Sequence, residues 1–502
     1  MNDSKSEQRG HVVPKWLEYS DAVKGKEFIV PRKTPFVTNE VTAKNIEEEY
    51  KEFKENPSSE IASSLLSAAI IIDDKPLAED MARYLKDKQN VDQATLDLAD
   101  KILNPPPSLD ARTKIDRINL RIATLKNRTV KFPRSAIPWI EMARLYTIKG
   151  QHQKARRSAL IALNLAPFDR YVVRCAVRFF LHIHDFEAAC NYIRRATAGR
   201  FDPWLKATEV NVALIAEKGT PSLKGHLPKD VSGIDIFHFS ELFESSGILE
   251  LNAGNRRAAN KRFGVAWRNP SDAVITHAEW VLRNRLPGLR DKVDIDFKRS
   301  LEALTWIYYE DLKLDEALNT TREWELQEPY SKYPYIVGVS IASNAGYYDE
   351  AAEIGYRGLM ANPASLMLNN NLCYTLLRAG RIDEAEKIIV KMNAIGDASN
   401  DLCFSATKGL FEFKRSRFDI GRRAYNEVME RCRRNNDLRL FLKAYLNLAL
   451  AEIESSTSEA EKTSRIALSL SEGTKYPDIV LLRKEIMDKL PKKTKRLKTP
   501  SG

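Results

Sequence analysis

Cysteine is scarce and scattered: Cys175, Cys190, Cys373, Cys403 and Cys432 are the only five in 502 residues. An odd set without a C-x-x-C pair argues against a disulfide framework or a zinc ribbon, and the five read as small buried side chains. Long apolar runs are also missing. The longest, Ile61 to Ile72, includes three serines and falls well short of the roughly 20 apolar residues that cross a bilayer. The start, MNDSKSEQRG, lacks the apolar core of a signal peptide, so a soluble, cytoplasmic chain is expected. There is no H-E-x-x-H, G-x-x-x-x-G-K-[ST] or G-x-S-x-G. His182 and His184 are two apart, off a common helix face, with no third ligand at a matching spacing. Neither catalysis, a cofactor nor a metal is expected, and no β-rich region is evident.

What the chain does have is a period. Ala155 and Ala189 are 34 apart, Ala317, Ala351 and Ala385 follow one another at the same interval, and Gly421 comes 36 later. A unit that short cannot bury its own apolar face, so it must stack on its neighbours. A small residue at the recurring position is a steric demand, because two helices cross about 8–10 Å apart only over a small side chain. Gly150, Gly254, Gly346 and Gly380 fall where the turn between paired helices is needed.

The residues around these positions carry a family resemblance. PWIEMARLYTIKGQHQKARRSALIALNLAP, from Pro138 to Pro167, places Trp139, Met142, Ala143, Tyr146, Gly150, Ala155, Ala159, Ala162 and Pro167 at the offsets W-x2-L-G-x2-Y, A-x3-F and P. It resembles a tetratricopeptide repeat (TPR). Val173, Ala176, Val177, Phe180, Ala189, Ile193 and Ala196 repeat the pattern, and KLDEALNTTREWELQEP, AGYYDEAAEIGYRGLMANP and AGRIDEAEKIIVKM repeat it downstream. The resemblance implies an all-α, TPR-like α-solenoid of stacked helix pairs in a right-handed superhelix, whose first helices line a concave, partner-binding groove.

Breakers divide the chain into an irregular N-terminal segment (1–40), a helical region with a degenerate repeat around Ala78 (41–108), and a first array (109–202). There follow an irregular helix with a hinge loop (203–238), a divergent repeat region (239–297), the main array (298–475), and a capping helix with a basic tail (476–502). Ile479 to Leu490 is expected to cap the open end of the array.

Counting eleven positions before each small residue selects Arg144, Arg178, Trp306, Ser340, Tyr374 and Leu410 as facing the groove. With Arg174 beside the first two and Ile336 and Phe413 beside the others, the groove reads as basic upstream and apolar downstream. Arg170, Arg174 and Arg178 share one helix face, which suits either a solvated face paired with acids or an anion site. Some proteins of the family clamp a peptide carboxylate there, but Ile140 stands at the offset of Arg174 and the expected asparagines are missing.

Charge supplies the alternative. The net charge is +11, and residues 251–270 hold five basic side chains and no acid. Arg156, Arg157, Arg256, Arg257, Arg422 and Arg423, with the tail residues Lys492, Lys493, Lys495 and Arg496, are candidate anion or nucleic-acid patches. The expectation is a non-catalytic adaptor or scaffold holding a protein segment in its groove. The alternative is a regulatory or sensing subunit of a nucleic-acid-associated assembly. The sequence assigns no oligomeric state.

Overall fold

The computed structural model describes residues 10–19, 43–103, 111–394 and 401–490, apart from Asp73, Gln89, Asp92, Arg200, Lys224 and Lys229. The described residues are helical, without a strand. They form two compact units: Glu18–Arg128, and Met1–Leu17 together with Thr129–Gly502.

The smaller unit holds α1 (Ala43–Glu55), α2 (Ser59–Ile72), α3 (Lys75–Lys86), α4 (Gln93–Leu103) and most of α5 (Ala111–Lys131). Its core is Ile46, Phe53, Leu65, Leu66, Ala78, Ala82 and Leu85.

The larger unit is a run of helical hairpins. The first helices of successive hairpins are α6 (Ile137–Ile148), α8 (Arg170–His182), α10 (Pro203–Ile215), α11 (Ile236–Asn252), α13 (Asp272–Asn284), α14 (Leu301–Glu310), α16 (Tyr333–Asn344), α18 (Leu366–Arg378), α20 (Leu402–Lys414) and α22 (Leu438–Glu454). Second helices are α7 (His152–Leu165), α9 (Phe186–Thr197), α12 (Arg256–Ala266), α15 (Leu314–Gln327), α17 (Tyr348–Ala361), α19 (Ile382–Asn393), α21 (Phe418–Arg434) and α23 (Ala460–Leu470), and α24 (Pro477–Lys489) ends the run. Aspartate or serine starts most first helices: the side chains of Asp169, Asp202, Asp235, Ser271, Ser300, Ser365, Asp401 and Asp437 accept from backbone N–H groups one turn in.

The recurring small residues sit where the hairpin helices touch. Ala155, Ala189, Ala259, Ala317, Ala351 and Ala385 are fully buried. At Gly421 a Cβ would lie 2.5 Å from the Phe413 ring and 2.8 Å from the Gly409 carbonyl, so only glycine fits.

Among the described residues, two first helices have no helical partner. After α10 the chain runs without a helix to Asp235, and Leu227 and Val231 pack on the core that a second helix would cover. After α13 two short 3-10 turns, Pro287–Lys292 and Phe297–Arg299, with Leu286, Val293 and Ile295, do the same. These are the stretches in which the period fades.

Two expectations need correction. Cys403 is exposed, and only the other four cysteines are buried. Helix α24 does not sit on the open end alone. Leu481 packs with the cluster of Tyr309, Ile336 and Ile341, Glu485 accepts from Arg378 at 2.6 Å, and Asp478 accepts from Arg439 at 3.1 Å. The helix therefore lies along the face shared by α14, α16, α18 and α22, with Ile479 and Ile486 fully buried.

Candidate functional site

The face shared by the first helices is laced together at the repeat spacing. Arg174 reaches Thr208 at 3.5 Å, Asn211 donates to Ser245 at 2.7 Å, Glu244 pairs with His277 at 2.7 Å, and Ser343 with Thr375 at 2.6 Å. Each link joins one first helix to the next, because side chains one repeat apart are stacked neighbours.

Across the upstream half of this face runs a segment of the chain itself. Residues 12–17 have neither helix nor strand, and Val12, Pro14 and Trp16 are buried while the residues between them are half-buried, the alternation of an extended chain. Side chains of the array hold its backbone. Val12 N donates to Asn211 Oδ1 at 2.9 Å, Trp16 N to Tyr330 Oη at 3.0 Å and Arg144 Nε to the Trp16 carbonyl at 3.2 Å, and the Tyr171 hydroxyl, which donates to Glu141 at 2.6 Å, lies 3.1 Å from the Leu17 carbonyl. The Gly10 carbonyl lies 3.2 Å from His277 Nε2.

Two side chains of the segment are seated deeply. The Trp16 ring is fully buried between Phe179 and Tyr330, at centroid distances of 6.2 and 5.3 Å. Lys15 Nζ donates to Asp272 Oδ2 at 2.5 Å and lies 3.8 Å from Glu328. Burial alone would lower the Lys15 pKa, but Asp272, Glu328 and Glu302 together raise it, so the ammonium stays charged. A cavity of about 40 Å³ remains between the segment and the wall, lined by His11, Pro14, Thr276, Glu302, Glu328 and Tyr333 among others.

The structure brings Arg144, Arg174 and Arg178 together here and commits each to a partner. Arg174 forms a bidentate pair with Glu241, at 2.7 and 3.0 Å, and its guanidinium carbon lies 5.0 Å from the Trp204 ring centroid. Arg178 lies over the Tyr330 ring at 5.5 Å and 3.8 Å from Glu328. Arg170 reaches Asp202 at 2.7 Å. The stripe is thus paired, with Arg174 and Arg178 buried and Arg170 half-buried, and its acids come from α11, the start of α10 and the turn before α16.

Downstream, the predicted groove residues meet α24 or the array's own core. Tyr374 Oη donates to Asn447 Oδ1 at 2.8 Å, Ile336 is buried in the cluster that receives Leu481, and Trp306 lies under Arg283 at 4.5 Å. Phe413 is buried against Phe418 and Tyr425, between the helices of its own hairpin. The outward arginines are dispersed. Arg156 pairs with Asp185 at 2.6 Å and Arg422 with Glu452 at 2.8 Å, Arg423 donates to the Asp419 carbonyl, and Arg157, Arg256 and Arg257 are exposed. Lys492, Lys493, Lys495 and Arg496 lie outside the described residues.

The residues that sequence reasoning missed are those of the segment, Val12, Lys15 and Trp16, with their partners Asn211, Asp272 and Tyr330. The one available signal was the alternation Val12, Pro14, Trp16 in a stretch without helical period. Among the described residues no group of acids, histidines and cysteines is arranged to hold a metal ion, and no helix is long and apolar enough to cross a membrane.

No family model matches the chain, and no curated protein matches it. Among solved structures it is similar to yeast Tom70 (13% identity, TM-score 0.30), over 75% of this chain and 93% of that one. It is also similar to a structure of Naa15/Naa10 bound to HypK-THB (12%, TM-score 0.25), over 86% of this chain and 93% of that one. A third is the APC/C hetero-tetramer Cut9-Hcn1 (11%, TM-score 0.29), over 89% and 99%.

Proposed function

We propose that the chain is a cytoplasmic, non-catalytic protein-interaction scaffold or adaptor of TPR type, holding an extended segment or helix of a partner protein on the face formed by its first helices. The observation that supports this reading is the seated segment. The array grips the backbone of residues 12–17 through side chains of α6, α10 and the turn before α16, and it also lodges a helix, α24, on the same face. A surface that binds backbone groups and buries an aromatic anchor is chemically a peptide-binding surface.

The test is native purification of the full chain and of an Arg256→Glu/Arg257→Glu variant, each with and without nuclease. Proteins retained by both chains after nuclease support the scaffold. Partners lost on nuclease treatment, and lost by the variant, would move the reading to the nucleic-acid alternative, whose affinity falls steeply with salt.

A further inference from the structure

We propose that the upstream face is a recognition site for an extended peptide bearing a cation followed directly by a large aromatic residue, and that residues 10–17 occupy it in cis until a partner segment of that chemistry displaces them. This deepens the scaffold reading and rests on it.

The site is built from the array. The aromatic slot comes from Phe179 and Tyr330, which belong to distant parts of the sequence, and the cation seat from Asp272 and Glu328. The backbone clamps Asn211 and Tyr330 accept from main-chain N–H groups, which any extended chain offers. Selectivity therefore resides in the two pockets. Its sign is the reverse of a carboxylate clamp: Arg174 and Arg178 are taken up by Glu241 and Glu328, Arg144 meets the segment's backbone at the Trp16 carbonyl, and the group that meets the ligand's cation most closely is the Asp272 carboxylate.

The present occupant fits imperfectly. Among the described residues, the buried atoms Trp16 Nε1, His11 Nδ1 and Asp272 Oδ1 make no hydrogen bond. Asp272 uses one oxygen on Lys15, and its other, buried oxygen makes no hydrogen bond. An arginine in the lysine's place carries a planar fork able to engage both carboxylate oxygens, and a phenylalanine in the tryptophan's place leaves no indole N–H unsatisfied. The tethered segment competes at a local concentration on the order of millimolar, which holds the site closed to weak ligands and yields to a better-matched one.

The probe is a fluorescein-labelled peptide of residues 10–17, GHVVPKWL, added to the full chain and to its Lys15→Glu/Trp16→Ala variant, whose own segment can no longer seat. Fluorescence anisotropy is expected to show at least tenfold tighter binding by the variant. A peptide with arginine and phenylalanine in place of the lysine and tryptophan should bind tighter still, and one with glutamate in place of the lysine should not bind. Adding Asp272→Asn to the variant should lower affinity about tenfold. Equal affinity of the folded variant and the parent would overturn the proposal. So would light scattering that finds the parent a dimer exchanging this segment between copies. If the double variant fails to fold, amide exchange of Val12 and Trp16 in the parent decides instead: excess unlabelled peptide should accelerate it, and no change would overturn the proposal. A partner that survives nuclease in native purification while this peptide fails leaves the scaffold standing and removes only this site.

Discussion

Arg174 keeps its charge at 2% exposure because Glu241 meets both ends of its guanidinium fork and Trp204 covers its face. A buried pair of this kind adds little over apolar packing, but removing one member strands the other. Arg174→Ala should therefore destabilise the chain by about 3–5 kcal/mol, and chemical denaturation would check it. A loss below about 1 kcal/mol would mean that water reaches Glu241 and that the arginine is available to a ligand. The stripe's spacing was legible in the sequence and its partners were not: Glu241 is 67 residues away, beyond what periodicity can pair. The turn glycines show the same boundary. Gly150, Gly346 and Gly380 do take positive φ, yet His184, Leu312 and Ser416 take it at the equivalent position of other hairpins, at 58–60°. The stacking of the array imposes that conformation on residues that disfavour it, so composition alone could not mark those turns.

At the scale of the helix pair, the alanine register can be tested directly. Ala351 and Ala385 are fully buried between the helices of their hairpins. Ala351→Leu and Ala385→Leu should each cost about 1–3 kcal/mol through overpacking, seen as a lower denaturation midpoint. Unchanged midpoints for both would contradict the assigned contact. The docked segment is an element of another kind, and acid should loosen it. His11 is held down to about 4, first by burial and then by His277 beside it, which itself faces Glu244 and the Gly10 carbonyl. Released into water, His11 would titrate near 6.5, so protons favour release below that pH. Its contribution is complete above about 6.5 and is lost as pH falls toward 4. His11→Gln should flatten the decline of stability across that window relative to the parent, and parallel curves would show that His11 is not buried neutral. Helical repeats were readable because their spacing recurs along the chain. A single short extended segment has no recurrence to betray it, and its meaning depends on Asn211, Asp272 and Tyr330, which only folding brings near.

Over the whole larger unit, repeats far apart in sequence touch. The turn at Gly150 meets the end of α17: a Cβ there would lie 2.4 Å from the Met360 carbonyl oxygen, and His152 Nε2 lies 3.2 Å from the Ala361 carbonyl. With φ at +66°, Gly150 is favoured by its backbone and required by this approach. Gly150→Ala should cost about 2 kcal/mol or more, whereas Gly346→Ala, with positive φ but no neighbour within 4 Å, should cost about 1. Equal losses in thermal melts would mean that the approach contributes nothing. Repeat arrays that touch only their neighbours lengthen under load as coil springs do, each interface yielding a little. A clasp joining residue 150 to residue 360 removes that compliance between them. Tension applied across this stretch meets a closed hoop that stays stiff until the clasp breaks, and only then uncoils.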